Sequence, residues 1–199
     1  MTLPPPTPGE QPRAVPLTVW PTRTASPPGC VTPAAAARAI ATFSKPDDLV
    51  VVVDGPTVFR DAAAYLHRRY LAMSRDWLGT DDFGTPGIAG AAGLVIDHSA
   101  IGDPQTLLPR FIQTAGMLRP GGVLLTVHTP TGGHTDSLTV SIATGRAAGL
   151  RYLQHIILLA APISGGQLHP AEKGRTPRGL LIPVHTDLAV FSAPGGSHG

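Results

Sequence analysis

The chain predicts a three-layer α/β domain: a predominantly parallel sheet, helices on both faces and an antiparallel C-terminal edge hairpin. Three observations carry this. Leu49–Val53 is a run of five branched apolar residues, preceded by Pro46, Asp47 and Asp48 and stopped by Asp54, Gly55 and Pro56. A short, unbroken apolar run of this kind fits a strand buried on both faces. Helical and strand-like segments then alternate along the chain, the pattern that builds parallel sheets. Finally, two late apolar segments are separated by a Gly/Pro-rich loop with no helix, which argues for an antiparallel pair.

Composition bounds the function. The 199 residues suffice for one α/β domain with a sizeable core. Lys and Arg number 15 against 13 Asp and Glu, a net charge of +2, so nothing points broadly to a polyanionic partner. Only 14% of residues are charged, below the usual globular quarter. Cys30 is the one cysteine, which excludes an intrachain disulfide and a cysteine-based zinc cluster. The eight histidines form no short-spaced ligand pairs, so no metal is expected. The N-terminus shows no signal-peptide pattern, and no apolar run reaches membrane-spanning length. The expectation is a soluble cytoplasmic protein without membrane contact.

Residues 1–16, with prolines at 4, 5, 6, 8, 12 and 16, read as a disordered Pro-rich arm. Residues 17–192 read as the single domain and 193–199 as a flexible tail. Leu17, Val19 and Trp20 are the first anchor. Thr32-Pro33 is a helix start, an N-cap followed by proline at the first helical position, and the helix should run to Phe43. After the Leu49–Val53 strand, Phe59, Ala62, Ala63 and Leu66 recur at helical spacing over 58–69. Residues 70–74 fit a strand or a helix, and 78–92 a loop or the remnant of a shortened α/β unit. Leu94–Ile96 begins a buried strand ending at Asp97-His98. A helix should cover Pro104–Met117, followed by a tight turn at 118–122 and a strand at Val123–Val127. Thr135 or Asp136 opens the next helix, which Gly149 stops. Strands at 151–160 and 187–191 flank the long loop 162–183.

Five stretches taken in order resemble the bacterial DNA N-methyltransferases that modify exocyclic amino groups, including distant actinobacterial homologues. They are V-W-P-T-R-T (Val19–Thr24), T-P-A-A-A-A-R-A-I (Thr32–Ile40), S-K-P-D-D-L-V-V-V-V-D-G-P (Ser44–Pro56), M-L-R-P-G-G-V-L-L-T-V (Met117–Val127) and H-T-D-L-A-V-F (His185–Phe191). The resemblance implies a Rossmann-like methyltransferase fold whose last strand inserts antiparallel. It implies S-adenosylmethionine near Asp54, Gly55 and Asp76, with Asp97 as the catalytic residue facing an amino acceptor. Independently, Asp76 follows Asp54 by 22 residues, near the offset at which an acid binds a ribose diol in nucleotide-type folds.

Two departures count against methyl transfer. After Asp54 the family's glycine-rich loop is replaced by Gly55-Pro56-Thr57-Val58-Phe59-Arg60, and Val58, Phe59 and Arg60 should crowd the pocket. Where the family carries a Pro-Pro-aromatic motif that grips the flipped base, this chain reads Asp97-His98-Ser99-Ala100. The expectation is therefore a degenerate, non-catalytic member: a binding or regulatory protein, DNA-associated or homo-oligomeric. An active methyltransferase on an amino group and a structural protein-interaction module are the alternatives.

Arg68, Arg69 and Arg75, with Tyr70 and Trp77 interleaved, form one candidate nucleic-acid patch, and Lys173, Arg175 and Arg178 another. The same charges also suit a solvated surface. His128 and His134 read as ordinary loop histidines, with a polar crevice alongside Asp97 and His98 as the functional reading. A Ser99-His128-Asp97 triad lacks the Gly-x-Ser-x-Gly elbow.

Overall fold

A computed structural model describes residues 16–27, 29–77, 88–98, 103–129, 137–169 and 184–195. The proline-rich arm before residue 16 and the last four residues lie outside the described residues.

The first turn of α1 (Pro33–Phe43) forms where Thr32 caps it, accepting a hydrogen bond from the Ala35 N–H at 3.2 Å. Ala35, Ala36, Ala39 and Ile40 are buried, so small side chains let the helix approach the sheet closely. The helix ends at Ser44, whose hydroxyl donates to the Ile40 carbonyl at 2.7 Å. Strand β2 (Leu49–Val53) follows, and its valines are at most 1% exposed. Val50 and Val52 join one core layer and Val51 and Val53 the other, which is why the run is apolar throughout. Each such side chain contributes about 1.5–3 kcal/mol by leaving water.

Helix α2 (Val58–Tyr65) is shorter than its sequence pattern. His67 adopts φ 54° and closes the helix with two bonds, His67 N–H to Ala64 C=O at 3.2 Å and Arg68 N–H to Ala63 C=O at 2.8 Å. This is a Schellman closure with histidine where glycine is usual, so composition gave no warning of it. The ambiguous stretch beyond it is a strand, β3 (Arg69–Met73), paired in parallel with β2.

Strand β4 (Ala92–Asp97) leads to α3 (Pro104–Met117), which Asp103 caps by accepting from the Gln105 and Thr106 N–H groups. Strand β5 spans Leu118–His128 and so absorbs the expected turn. Leu118 pairs with Ala92 and Val123 with Leu94, leaving Arg119–Gly122 bulged out of the ladder. Gly121 has φ 72°, and a Cβ on Gly122 would lie 2.8 Å from the Ala92 carbonyl. The bulge delivers Arg119 to Asp48 at 3.1 Å. Burial raises the Asp48 pKa, but the Lys45 N–H, the Arg119 hydrogen bond and the nearby positive charges outweigh it and hold the carboxyl below its usual range.

Helix α4 (Ser137–Ala147) precedes β6 (Arg151–Leu159), a two-stranded ribbon β7 (Ile163–Ser164) and β8 (Gln167–Leu168), and finally β9 (His185–Ser192). The main sheet runs β1-β6-β9-β5-β4-β2-β3, where β1 is Leu17–Trp20. Every neighbour pair is parallel except the two that involve β9, which inserts antiparallel between β5 and β6. Strand β1 then pairs with the outer side of β6, with Trp20 opposite Leu158, and carries the sheet one strand beyond the antiparallel pair. Helices α1 and α2 cover one face, α3 and α4 the other. Among the described residues no helix is long and apolar enough to cross a membrane.

Candidate functional site

The carboxyl ends of the parallel strands lie along one edge of the sheet, the position at which open α/β folds bind ligands. Asp54 stands there at the end of β2 with φ 48°. Its N–H bonds the Met73 carbonyl at 3.0 Å. Its Oδ1 accepts from the Arg75 N–H at 3.1 Å, and its Oδ2 lies 2.7 Å from Arg75 Nε. Parallel pairing of β2 with β3 brings this acid and base together although 21 residues separate them. Oδ1 thus accepts a hydrogen bond, whereas Oδ2 is held by charge alone and accepts no hydrogen bond among the described residues.

Gly55 is a packing residue in this arrangement. A Cβ there would fall 2.2 Å from Val52 Cγ1 and 3.3 Å from the Phe59 ring. Phe59 is 1% exposed and belongs to the core beneath α2. Arg60 is exposed and pairs with its neighbour Asp61 at 3.0 Å. Asp76 is exposed in a short 3-10 turn, Arg75–Trp77, its N–H donating to Ser74 Oγ at 3.3 Å.

Asp97 ends β4 and is 1% exposed. It faces α3, where Arg110 Nη2 lies 3.3 Å from both carboxylate oxygens. Strand register sets Asp97 beside Val53 and Thr126. Thr126 and His128 are fully buried on β5, with Thr126 Oγ1 2.8 Å from His128 Nε2. The expectation of a loop histidine at 128 is therefore corrected: His128 is the last residue of a central strand and packs inside. Asp97, Thr126 and His128 share a face by alternation, which supplies a polar cluster next to α3. Ser99, His134 and the C-terminal basic residues Lys173, Arg175 and Arg178 lie outside the described residues.

His98 projects the other way. Its N–H bonds the Val53 carbonyl at 3.1 Å, and its partly buried imidazole faces Gly29. Burial lowers the His98 pKa, against a hydrogen bond to the Gly29 backbone and the charges of Asp97 and Asp54, which raise it. Among the described residues its Nε2 has no hydrogen-bond partner.

Gly29 belongs to a strap that the sequence did not reveal. After β1, the chain crosses the carboxyl edge on its way to α1. The Ser26 N–H bonds the Ala160 carbonyl beyond β6 at 2.8 Å, and the Gly29 N–H bonds Thr186 Oγ1 of β9 at 3.0 Å. A Cβ on Gly29 would lie 2.5 Å from Thr129 Oγ1, just past β5. The strap thus follows the sheet order from β1 across β6, β9 and β5 to the end of β4.

The basic stretch Arg68–Arg75 divides in space. Arg68 donates to Ser44 Oγ, Ser44 C=O and Leu66 C=O, and Arg69 donates to Asp47 C=O at 3.1 Å, all at the amino edge. Arg75 stands at the carboxyl edge with Asp54, roughly 20 Å of extended strand away. One run in the sequence therefore supplies two separate places. Cys30 is exposed. Among the described residues no group of three His, Cys, Asp or Glu side chains is arranged to hold a metal ion.

Arg110 escaped the sequence reading, although a signal for it exists. It lies on the buried stripe of α3 between Leu107, Phe111 and Thr114, and a cation on such a stripe requires an acid opposite.

No family model and no curated protein sequence matches this chain. Solved structures do. A proposed sarcosine dimethylglycine methyltransferase from Galdieria sulphuraria superposes with a TM-score of 0.53 at 12% identity, spanning 81% of this chain and 85% of that one. A proposed methyltransferase from Bacillus halodurans superposes with a TM-score of 0.51 at 13% identity, spanning 80% of this chain and 98% of that one. At such identities the likeness shows the fold: this chain has the three-layer, Rossmann-like α/β fold of the S-adenosylmethionine-dependent methyltransferases.

Proposed function

We propose that this protein is a non-catalytic, methyltransferase-like binding or regulatory protein, derived from bacterial DNA N-methyltransferases. The observation that carries the reading is Asp54, whose carboxylate is held by Arg75 through a backbone hydrogen bond to Oδ1 and an ion pair at Oδ2. An ion pair with Arg75 ties this carboxylate to β3 and offsets the negative charge that would attract the ammonium group of a cofactor. Neighbouring residues agree. The Cβ side of Gly55 packs against Val52 and Phe59, and the buried Asp97 is paired with Arg110. On this reading the residues present do not fit S-adenosylmethionine in this arrangement. Descent from the DNA-modifying branch rests on the order of the five sequence stretches.

Calorimetric titration with S-adenosylmethionine tests the reading. No saturable heat is expected up to millimolar ligand. Saturable binding in the micromolar range overturns it.

A further inference from the structure

Far along the carboxyl edge from Asp54, between the strap and the outer side of α1, lies a cavity of about 420 Å³. We propose that it binds a small organic oxyanion, a phosphate or carboxylate group carried on an apolar body. The proposal concerns the β1–β6 end of the sheet and does not depend on the reading of the Asp54 end.

Charge is the first argument. Arg23 of the strap and Arg38 of α1 both line the cavity, and among the described residues no acidic residue does. Among the described residues neither arginine has an ion-pair partner, whereas Arg60, Arg75, Arg110 and Arg119 each have one. Two like charges facing one space repel each other, and an anion between them relieves that repulsion.

Orientation is the second. The Arg38 guanidinium lies 4.6 Å from the centroid of the Trp20 ring, and Trp20 is itself fixed by stacking on Phe43 at 6.4 Å. A guanidinium held over an aromatic ring by its charge still has its N–H donors to offer, and these can grip an oxyanion through two parallel hydrogen bonds. The rim adds the Thr22 and Thr24 side chains and the first turn of α1, whose dipole favours negative charge.

Size and lining decide the class of ligand. The volume falls within the range of small-molecule sites, and Pro21, Pro33 and Leu158 offer apolar contact for the rest of the ligand. Trp20 is only 3% exposed, so its ring is not a platform on which a nucleic-acid base stacks.

The test uses the full chain with Trp77→Phe, which leaves Trp20 as the single tryptophan and a reporter in the cavity wall. Phenyl phosphate and benzoate are titrated by fluorescence and by calorimetry, with benzyl alcohol as the uncharged control. A saturable response to either anion, none to benzyl alcohol, and an affinity lowered about tenfold or more by Arg23→Gln and by Arg38→Gln are expected. The preferred anion identifies the head group. Both arginines are exposed, so neither substitution threatens the fold, and Arg23→Gln leaves the Trp20 contact intact. The absence of saturable binding of both anions, an equal response to benzyl alcohol, or affinities unchanged in both variants would overturn the proposal.

Discussion

The two ends of the carboxyl edge treat charge in opposite ways. Beside β2, β3 and β4, each acid at a strand end has an arginine on it, Asp54 with Arg75 and Asp97 with Arg110. Beside β1 and β6, Arg23 and Arg38 face a cavity with no acid among the described residues of its wall. An internal ion pair offsets the charge that each partner would otherwise offer a ligand. A cation left facing open space keeps its own. On the two proposals above, the first end serves as scaffold and the second, at the strand that the N-terminal segment adds, keeps the capacity to bind.

The comparison can be broken most sharply at Arg110. Arg110→Met leaves the Asp97 carboxylate buried without this cation and should cost about 3–5 kcal/mol in chemical denaturation. A cost near zero would mean that the pair is not holding this end together.

His98 gives the next effect, and it depends on pH. Its pKa in the folded protein lies below the ordinary value of 6.5, so over that interval the unfolded chain binds the proton first. Its contribution is complete above pH 6.5 and is lost as pH falls through the folded pKa. The slope is at most about 1.4 kcal/mol per pH unit for one proton. Denaturation midpoints across pH 7 to 4 should show this decline, and His98→Gln should flatten the part just below pH 6.5.

Smaller still is the contrast between the exposed arginines. Arg75→Gln should cost up to about 1 kcal/mol by releasing Asp54 from a partly exposed pair. Arg23→Gln should stay within about 0.5 kcal/mol of the parent, because it breaks no ion pair. Equal costs at the two positions would erase the distinction between scaffold and site.

Local signals in the sequence placed what is local in the fold. Thr32-Pro33 marks the start of α1 and the valine run marks β2, because capping and two-sided burial act within a few residues. The antiparallel pairing of the last two long segments followed from the absence of a helix between them, and the insertion of the last strand from the family resemblance. What escaped is long-range. The Asp54–Arg75 and Asp97–Arg110 pairs need strand register and a helix rotation, neither of which spacing supplies. Arg68, Arg69 and Arg75 looked like one patch because the chain is read in one dimension, while β3 carries its two ends to opposite edges. Strand β1 was visible only as an apolar anchor, since its partner β6 begins more than a hundred residues later.

That distance has a kinetic consequence. The Gly29–Thr186 hydrogen bond joins residues 157 apart, and among the described residues β1 pairs only with β6. Contacts of such separation close late, after shorter-range pairings have formed. During synthesis the N-terminal segment leaves the ribosome first, yet it has nothing to dock on until β6 and β9 have been made. Until then Trp20 is exposed to water and to other chains, and the cavity beside it does not exist. Strand β1, made before its partner, is therefore among the last parts completed, and any ligand held between Arg23 and Arg38 binds only the finished fold.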